Sequence, residues 1–108
     1  MAQNSVKPLV LSSVLSSTVT SLYAPLNGTG FAQAPFFIRI INASSAAITI
    51  SYNGVNDHEF IPANSVFELA SQTNSQPNAQ VALFPKFTVV YIKGTAGTGN
   101  IYLSGYYV

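Results

Sequence analysis

Phe36-Phe37-Ile38-Arg39-Ile40-Ile41 is the most continuously apolar stretch of the sequence, and its reading decides the fold. It is too short for a stable helix, and its β-branched residues suit a pleated sheet. Asn42-Ala43-Ser44-Ser45 follows and reads as a turn. The stretch is therefore expected to be a central β-strand ending near residue 42. Side chains alternate along a strand, so Phe36, Ile38 and Ile40 share one face while Phe37, Arg39 and Ile41 share the other. A sandwich strand needs only one apolar face. The second one calls for a cover, and another copy of the chain is the candidate.

Working outward, the same alternation recurs. Ile48, Ile50 and Tyr52 alternate with Thr49 and Ser51, and Asn53-Gly54 then signals a turn. Asp57 to Ile61 reads as a strand stopped by Pro62, and Val66 to Ala70 as its returning partner, with Phe67 and Leu69 on one face. Phe87 to Lys93 is a second strand apolar on both faces, with Phe87, Val89 and Tyr91 set against Val90 and Ile92. Gly94 to Gly99 reads as a hairpin turn, from which residues 101–108 return. In that last strand Ile101, Leu103 and Tyr107 share one face, and Tyr102, Ser104 and Tyr106 the other. Before the central stretch, Pro8 to Leu11 and the second half of Ser12–Tyr23 read as strands, and 24–31 as a loop. Residues 71–80 form a long polar loop, and 79–84 a further short strand. No ten-residue segment has helical spacing and propensity together. The expectation is an all-β, two-sheet antiparallel sandwich of jelly-roll or immunoglobulin-like topology, with an open barrel as the alternative. Residues 1–7 are expected to be a polar arm and 8–108 a single domain.

Composition narrows the function classes. The chain has 108 residues, 48% of them hydrophobic and only 6% charged, against roughly 25% charge in ordinary globular chains. Ser, Thr, Asn and Gln supply the polarity instead. So weakly charged a surface gives little repulsion against association, which suits a subunit packed among others. The net charge is +1, and Lys7, Arg39, Lys86 and Lys93 are scattered singly, so no basic cluster points to nucleic acid. Without cysteine there is neither a disulfide nor a thiolate metal site. The N-terminal stretch lacks the pattern of a signal peptide, and no run reaches the 18 or more apolar residues of a membrane span.

Candidate chemistry is thin. Asp57, His58 and Glu59 hold the only histidine and two of the three acids. Two carboxylates on one side of a strand suit a hard cation, but one such pair is too few for a dedicated cage, and a polar hairpin tip is the plainer reading. Catalysis by Asp57 and Glu59 would need a cleft and a perturbed carboxylate, with Glu68 expected across a hairpin from them. No serine sits in a Gly-x-Ser-x-Gly elbow. Gly94–Gly99 has neither the spacing nor the following helix of a phosphate loop. The expectation is no enzyme activity, no cofactor and no metal. The residues expected to make a self-contact are Phe37, Ile41, Val90 and Ile92. Tyr102, Tyr106 and Tyr107 form a candidate partner surface, because tyrosine is suited to places apolar at one end and wet at the other.

The segments Ile50–Ser65 and Tyr91–Tyr107 resemble small structural proteins of tailed bacteriophages, among them capsid decoration or cement proteins. The resemblance implies a virion location, a β-sandwich fold, the major capsid protein as partner and a homo-oligomer, dimer or trimer. It leaves open a carbohydrate-binding or structural module of a tail fibre or spike, and it carries no catalytic residue across.

Overall fold

The computed structural model describes residues 7–70 and 84–107. The polar arm expected before Lys7, the polar loop at 71–80 and most of the short strand at 79–84 lie outside the described residues. The described chain contains β1 (Lys7–Pro8), β2 (Ser12–Leu15), β3 (Ala24–Pro25), β4 (Phe37–Ser44), β5 (Ile48–Ser51), β6 (Glu59–Ile61), β7 (Ser65–Ala70), β8 (Tyr91–Gly94) and β9 (Gly99–Tyr107). The strands make two sheets, and every pairing is antiparallel. In the first sheet, β1 and β2 lie one after the other along one edge of β9, followed by β4 and β7. In the second the order is β3-β8-β5-β6. The protein is therefore all-β, as the alternation predicts.

The core forms where the two sheets face each other. Ile38 and Ile40 of β4 and Ile101 and Leu103 of β9 meet Ile48 and Ile50 of β5, Ile61 of β6, and Val90 and Ile92 in and before β8. Val19, Leu26 and Phe31 close it from the connections. Each of these aliphatic side chains, once buried, contributes about 2 kcal/mol of transfer free energy. Val90 and Ile92 are 0% and 3% exposed. This corrects their assignment to a self-contact, since the apolar face they form is already covered from within the chain.

Several local expectations also change. The β4 strand does not stop at Asn42; it runs on to Ser44, and both of these side chains are buried. What carries the strand through is the Asn42 amide. Its Nδ2 donates to the carbonyl oxygens of Ala46 and Pro62, both at 2.9 Å, with that of Ile61 at 3.3 Å, and its Oδ1 accepts from the Ser44 hydroxyl. Ser51, expected to face away, is fully buried and receives the N–H groups of Asn53 and Gly54 on its hydroxyl. The β7 strand pairs with β4, not with β6. Gly94–Gly99 is no hairpin turn either; it carries the chain from β8 in the second sheet to β9 in the first. Gly99 makes that crossing with φ 101°, where a Cβ would stand 2.2 Å from the Ala43 carbonyl oxygen.

The expected strand in the second half of Ser12–Tyr23 is replaced by β2, a 3-10 turn at Ser16–Thr18 and an extended link. The Thr18 hydroxyl donates to the Leu15 carbonyl at 2.7 Å, a local bond that competes with a sheet ladder. The strand expected from Phe87 begins at Tyr91 instead, because Phe87 has φ 71° in a turn closed by the Thr88 N–H on the Pro85 carbonyl.

Asn42→Ala would leave buried carbonyls and the Ser44 hydroxyl short of partners, so a loss of about 3 kcal/mol in unfolding free energy is expected. Urea titration of the purified variant checks it; an unchanged midpoint would remove the amide from the account of the fold.

Candidate interaction surface

The outer face of the first sheet is built by parity. Ile38, Ile40 and Asn42 point inward along β4, so Phe37, Arg39 and Ile41 point outward, as the alternation predicts. On β9 the same rule turns Tyr102, Ser104 and Tyr106 outward. The register then places them side by side. Ile41 lies opposite Tyr102 on β9 and Val66 on β7; Arg39 lies opposite Ser104 and Glu68; Phe37 lies opposite Tyr106. The rings of Phe37 and Tyr106 are 5.9 Å apart. Val66 is 57% exposed, and Leu15, opposite Asn100 on the neighbouring row, is 55% exposed.

Two residue sets that were expected to serve different contacts therefore share one surface. Phe37 and Ile41 from the self-contact set lie beside Tyr102 and Tyr106 from the partner set. Tyr107 falls on the opposite side of β9, with Ile101 and Leu103, and does not join them. Val66 and Leu15 were missed. Val66 was expected to pair back on the 57–61 strand and Leu15 lay outside the expected strands, and hydropathy alone does not separate an outward valine from an inward one.

One ion pair crosses this surface. Arg39 Nε donates to Glu68 Oε2 at 2.7 Å, and the guanidinium carbon lies 5.5 Å from the centre of the Phe37 ring. Among the described residues, the terminal nitrogens of Arg39 and Oε1 of Glu68 make no other hydrogen bond. Glu68 therefore sits on the other sheet from Asp57 and Glu59 rather than across a hairpin from them.

The second sheet presents a different outer face. Thr49 lies between Phe60 and Lys93. Lys93 Nζ is 3.1 Å from Asp57 Oδ1 and 4.7 Å from the centre of the Tyr23 ring, and the Tyr23 hydroxyl donates to the same carboxylate oxygen. Asp57 precedes β6 and is engaged by these two groups. His58 is equally committed: its Nδ1 accepts the Tyr52 N–H at 3.0 Å, and its ring stacks on Tyr52. Among the described residues, no three His, Cys, Asp or Glu side chains come together as metal ligands would. A pocket of about 150 Å³ opens between the β1–β2 link and the 27–32 loop, lined by Leu9, Val10, Phe31 and Leu103 among others, with no acid or histidine in its wall. Among the described residues, this arrangement does not pair a base with a nucleophile.

Compared with family models, with curated proteins and with solved structures, the chain finds no match.

The Tyr23–Asp57–Lys93 cluster sets a pH dependence. The hydrogen bonds from Tyr23 and then Lys93 hold the Asp57 carboxyl below its usual value. Desolvation, and then the neighbouring Asp57, push the Tyr23 phenol up to about 12. A depressed carboxyl stabilises the fold above its unfolded value and loses that contribution as pH falls; a raised phenol stabilises below its unfolded value and loses it as pH rises. Thermal unfolding should therefore show this contribution as a plateau between about pH 4 and pH 10. Asp57→Asn should lower the melting temperature on the plateau and converge with the unaltered chain in acid. A constant gap down to pH 2 would disprove the linkage.

Proposed function

We propose that this chain is a non-enzymatic structural subunit of a tailed-phage virion, a decoration or cement protein that binds the major capsid protein as a homo-oligomer, dimer or trimer. The observation that carries the reading is the outer face of the first sheet, where Phe37, Ile41, Val66, Tyr102 and Tyr106 stand exposed or half-buried on a chain with very little charge. A sheet face of that composition is suited to burial against protein rather than to water. The strand order supports it. Taking β1 and β2 as one lane, two four-lane sheets between which the chain crosses at every connection except β5 to β6 fit a jelly roll, an architecture used by capsid proteins and by lectins. The resemblance of residues 50–65 and 91–107 to virion proteins points the same way.

Cementing on this reading is burial of apolar surface across seams between shell subunits. At ~25 cal/mol per Å², a few hundred Å² per contact supplies several kcal/mol before the cost of association. An oligomer adds avidity by holding several contacts at once. A glycan-binding module of a tail fibre is the second reading, favoured by the Phe37–Tyr106 ring pair beside Ser104 and Arg39.

Purified protein would be sedimented with phage shells that lack it and with shells that already carry it. Saturable binding to the bare shells alone, at a fixed ratio to the major capsid subunit, is the expected result. Absence of binding to bare shells would sink the decoration role. Glycan binding that falls when Tyr106 is changed to Ala would then establish the second reading.

A further inference from the structure

We infer that the outer face of the first sheet docks on the same face of a second copy of this chain, about a two-fold axis that exchanges Arg39 and Glu68 between subunits. The inference rests on reading this face as a contact surface, not on the virion assignment, and it names the occupant.

Charge complementarity argues for a second copy. The face carries one positive and one negative side chain, side by side on β4 and β7, with apolar rows on either side. A two-fold axis running along the strands midway between β4 and β7 swaps the two lanes. Arg39 then lies over Glu68 of the partner subunit, and Glu68 over Arg39 of the partner subunit. The same operation sets Ile41 over Val66 of the partner subunit. An axis perpendicular to the strands would instead set each Arg39 against its own copy, and like charges facing each other oppose docking. The isologous arrangement is thus selected by the placement of two side chains.

The free valences fit the exchange. Among the described residues the pair uses only Nε and Oε2, and the terminal guanidinium nitrogens and Oε1 are the atoms that would bond across the interface. The pair is 37% and 50% exposed, and covering it would remove the solvent that now screens it. Tyr102 and Tyr106 lie on β9, one lane beyond the overlap of β4 and β7, where a phenol keeps its hydroxyl wet.

The overlap sets the strength of the contact. About this axis only β4 and β7 of each copy overlap, and with β4 eight residues long the two lanes cover on the order of 250 Å² in plan. Against the ~800 Å² per partner of a standard complex this is a small overlap, so the dimer it makes is weak and concentration-dependent.

The test needs no shells, so its failure and the failure of the virion reading are separable. Sedimentation equilibrium would be run on the unaltered protein, on Arg39→Glu and Glu68→Arg alone, and on the two variants mixed in equal amounts. The expected result is a dimer for the unaltered protein, at least a tenfold weaker association for each variant alone, and restored dimer in the mixture. Restoration in the mixture is what an ion pair confined to one chain would not produce. A monomeric unaltered protein, variants that stay dimeric, or a mixture that stays monomeric would each overturn the proposal. Circular dichroism of both variants shows whether they are folded; should either be unfolded, Ile41→Glu mixed with Val66→Lys tests the same axis, and restored dimer only in that mixture is again the outcome required.

Discussion

The buried amide of Asn42 is the point at which the two sheets become one structure. It sits on the inward face of β4, one of the two central strands of the first sheet, where an aliphatic residue would satisfy packing alone. The Asn42 side chain instead reaches carbonyls on both sides of the sandwich's end: Ala46, where the chain turns into β5, and Ile61 and Pro62, where β6 turns back toward β7. The crossing from first sheet to second and the crossing back are thereby held at one atom. Carbonyls buried in connections must be paired with something, and the amide that pairs these is itself fully buried. Because β4 is gripped there, its register with β7 and β9 is set, and with it the parity of every residue on the outer face.

Parity explains how much of the fold was legible. The alternation of Ile38 and Ile40, of Ile48 and Ile50, and of Ile101 and Leu103 gave inward and outward faces correctly, since hydropathy with a two-residue period is what a half-buried strand imposes. The same rule was blind to Asn42 and Ser44. Polar residues in sequence read as a turn, and only their hydrogen bonds to residues up to twenty positions away make them strand. Ser51 was misplaced for another reason: by parity it faces outward with Thr49, yet it is buried where the following turn brings the Asn53 and Gly54 N–H groups onto its hydroxyl. The glycines at 94–99 read as a hairpin because local chemistry marks a reversal without saying which sheet receives the chain; here it is the close approach of Gly99 to Ala43 that directs β9 onto β4.

The candidate surface was legible by halves. Phe37 and Ile41 were identified because they oppose isoleucines on a strand whose inward face was evident. Val90 and Ile92 failed because the strand around them is apolar on both sides, so parity alone did not say which side the core would take. The structure assigns them inward and leaves Val89 and Tyr91 half-buried outside. Tyr102 and Tyr106 were correctly paired with each other, yet their adjacency to Phe37 and Ile41 depends on β9 joining β4, a non-local pairing that no turn signal encodes.

The two outer faces now account for the low charge of the chain in physical terms. On the second sheet, Lys93 and Asp57 neutralise each other and the Tyr23 hydroxyl closes the cluster. On the first, Arg39 and Glu68 do the same, but between apolar rows rather than among polar ones. An exposed ion pair of this kind contributes about 0–1 kcal/mol to folding, so it is a weak reason for charge to stand in the middle of an apolar face. Its stronger effect is on which orientation a covering surface adopts. Hydrophobic burial is indifferent to direction, whereas two opposite charges fixed 2.7 Å apart on neighbouring lanes penalise every docking that brings like onto like. The apolar rows supply the tendency to associate, and the single ion pair restricts the geometry in which that tendency is satisfied.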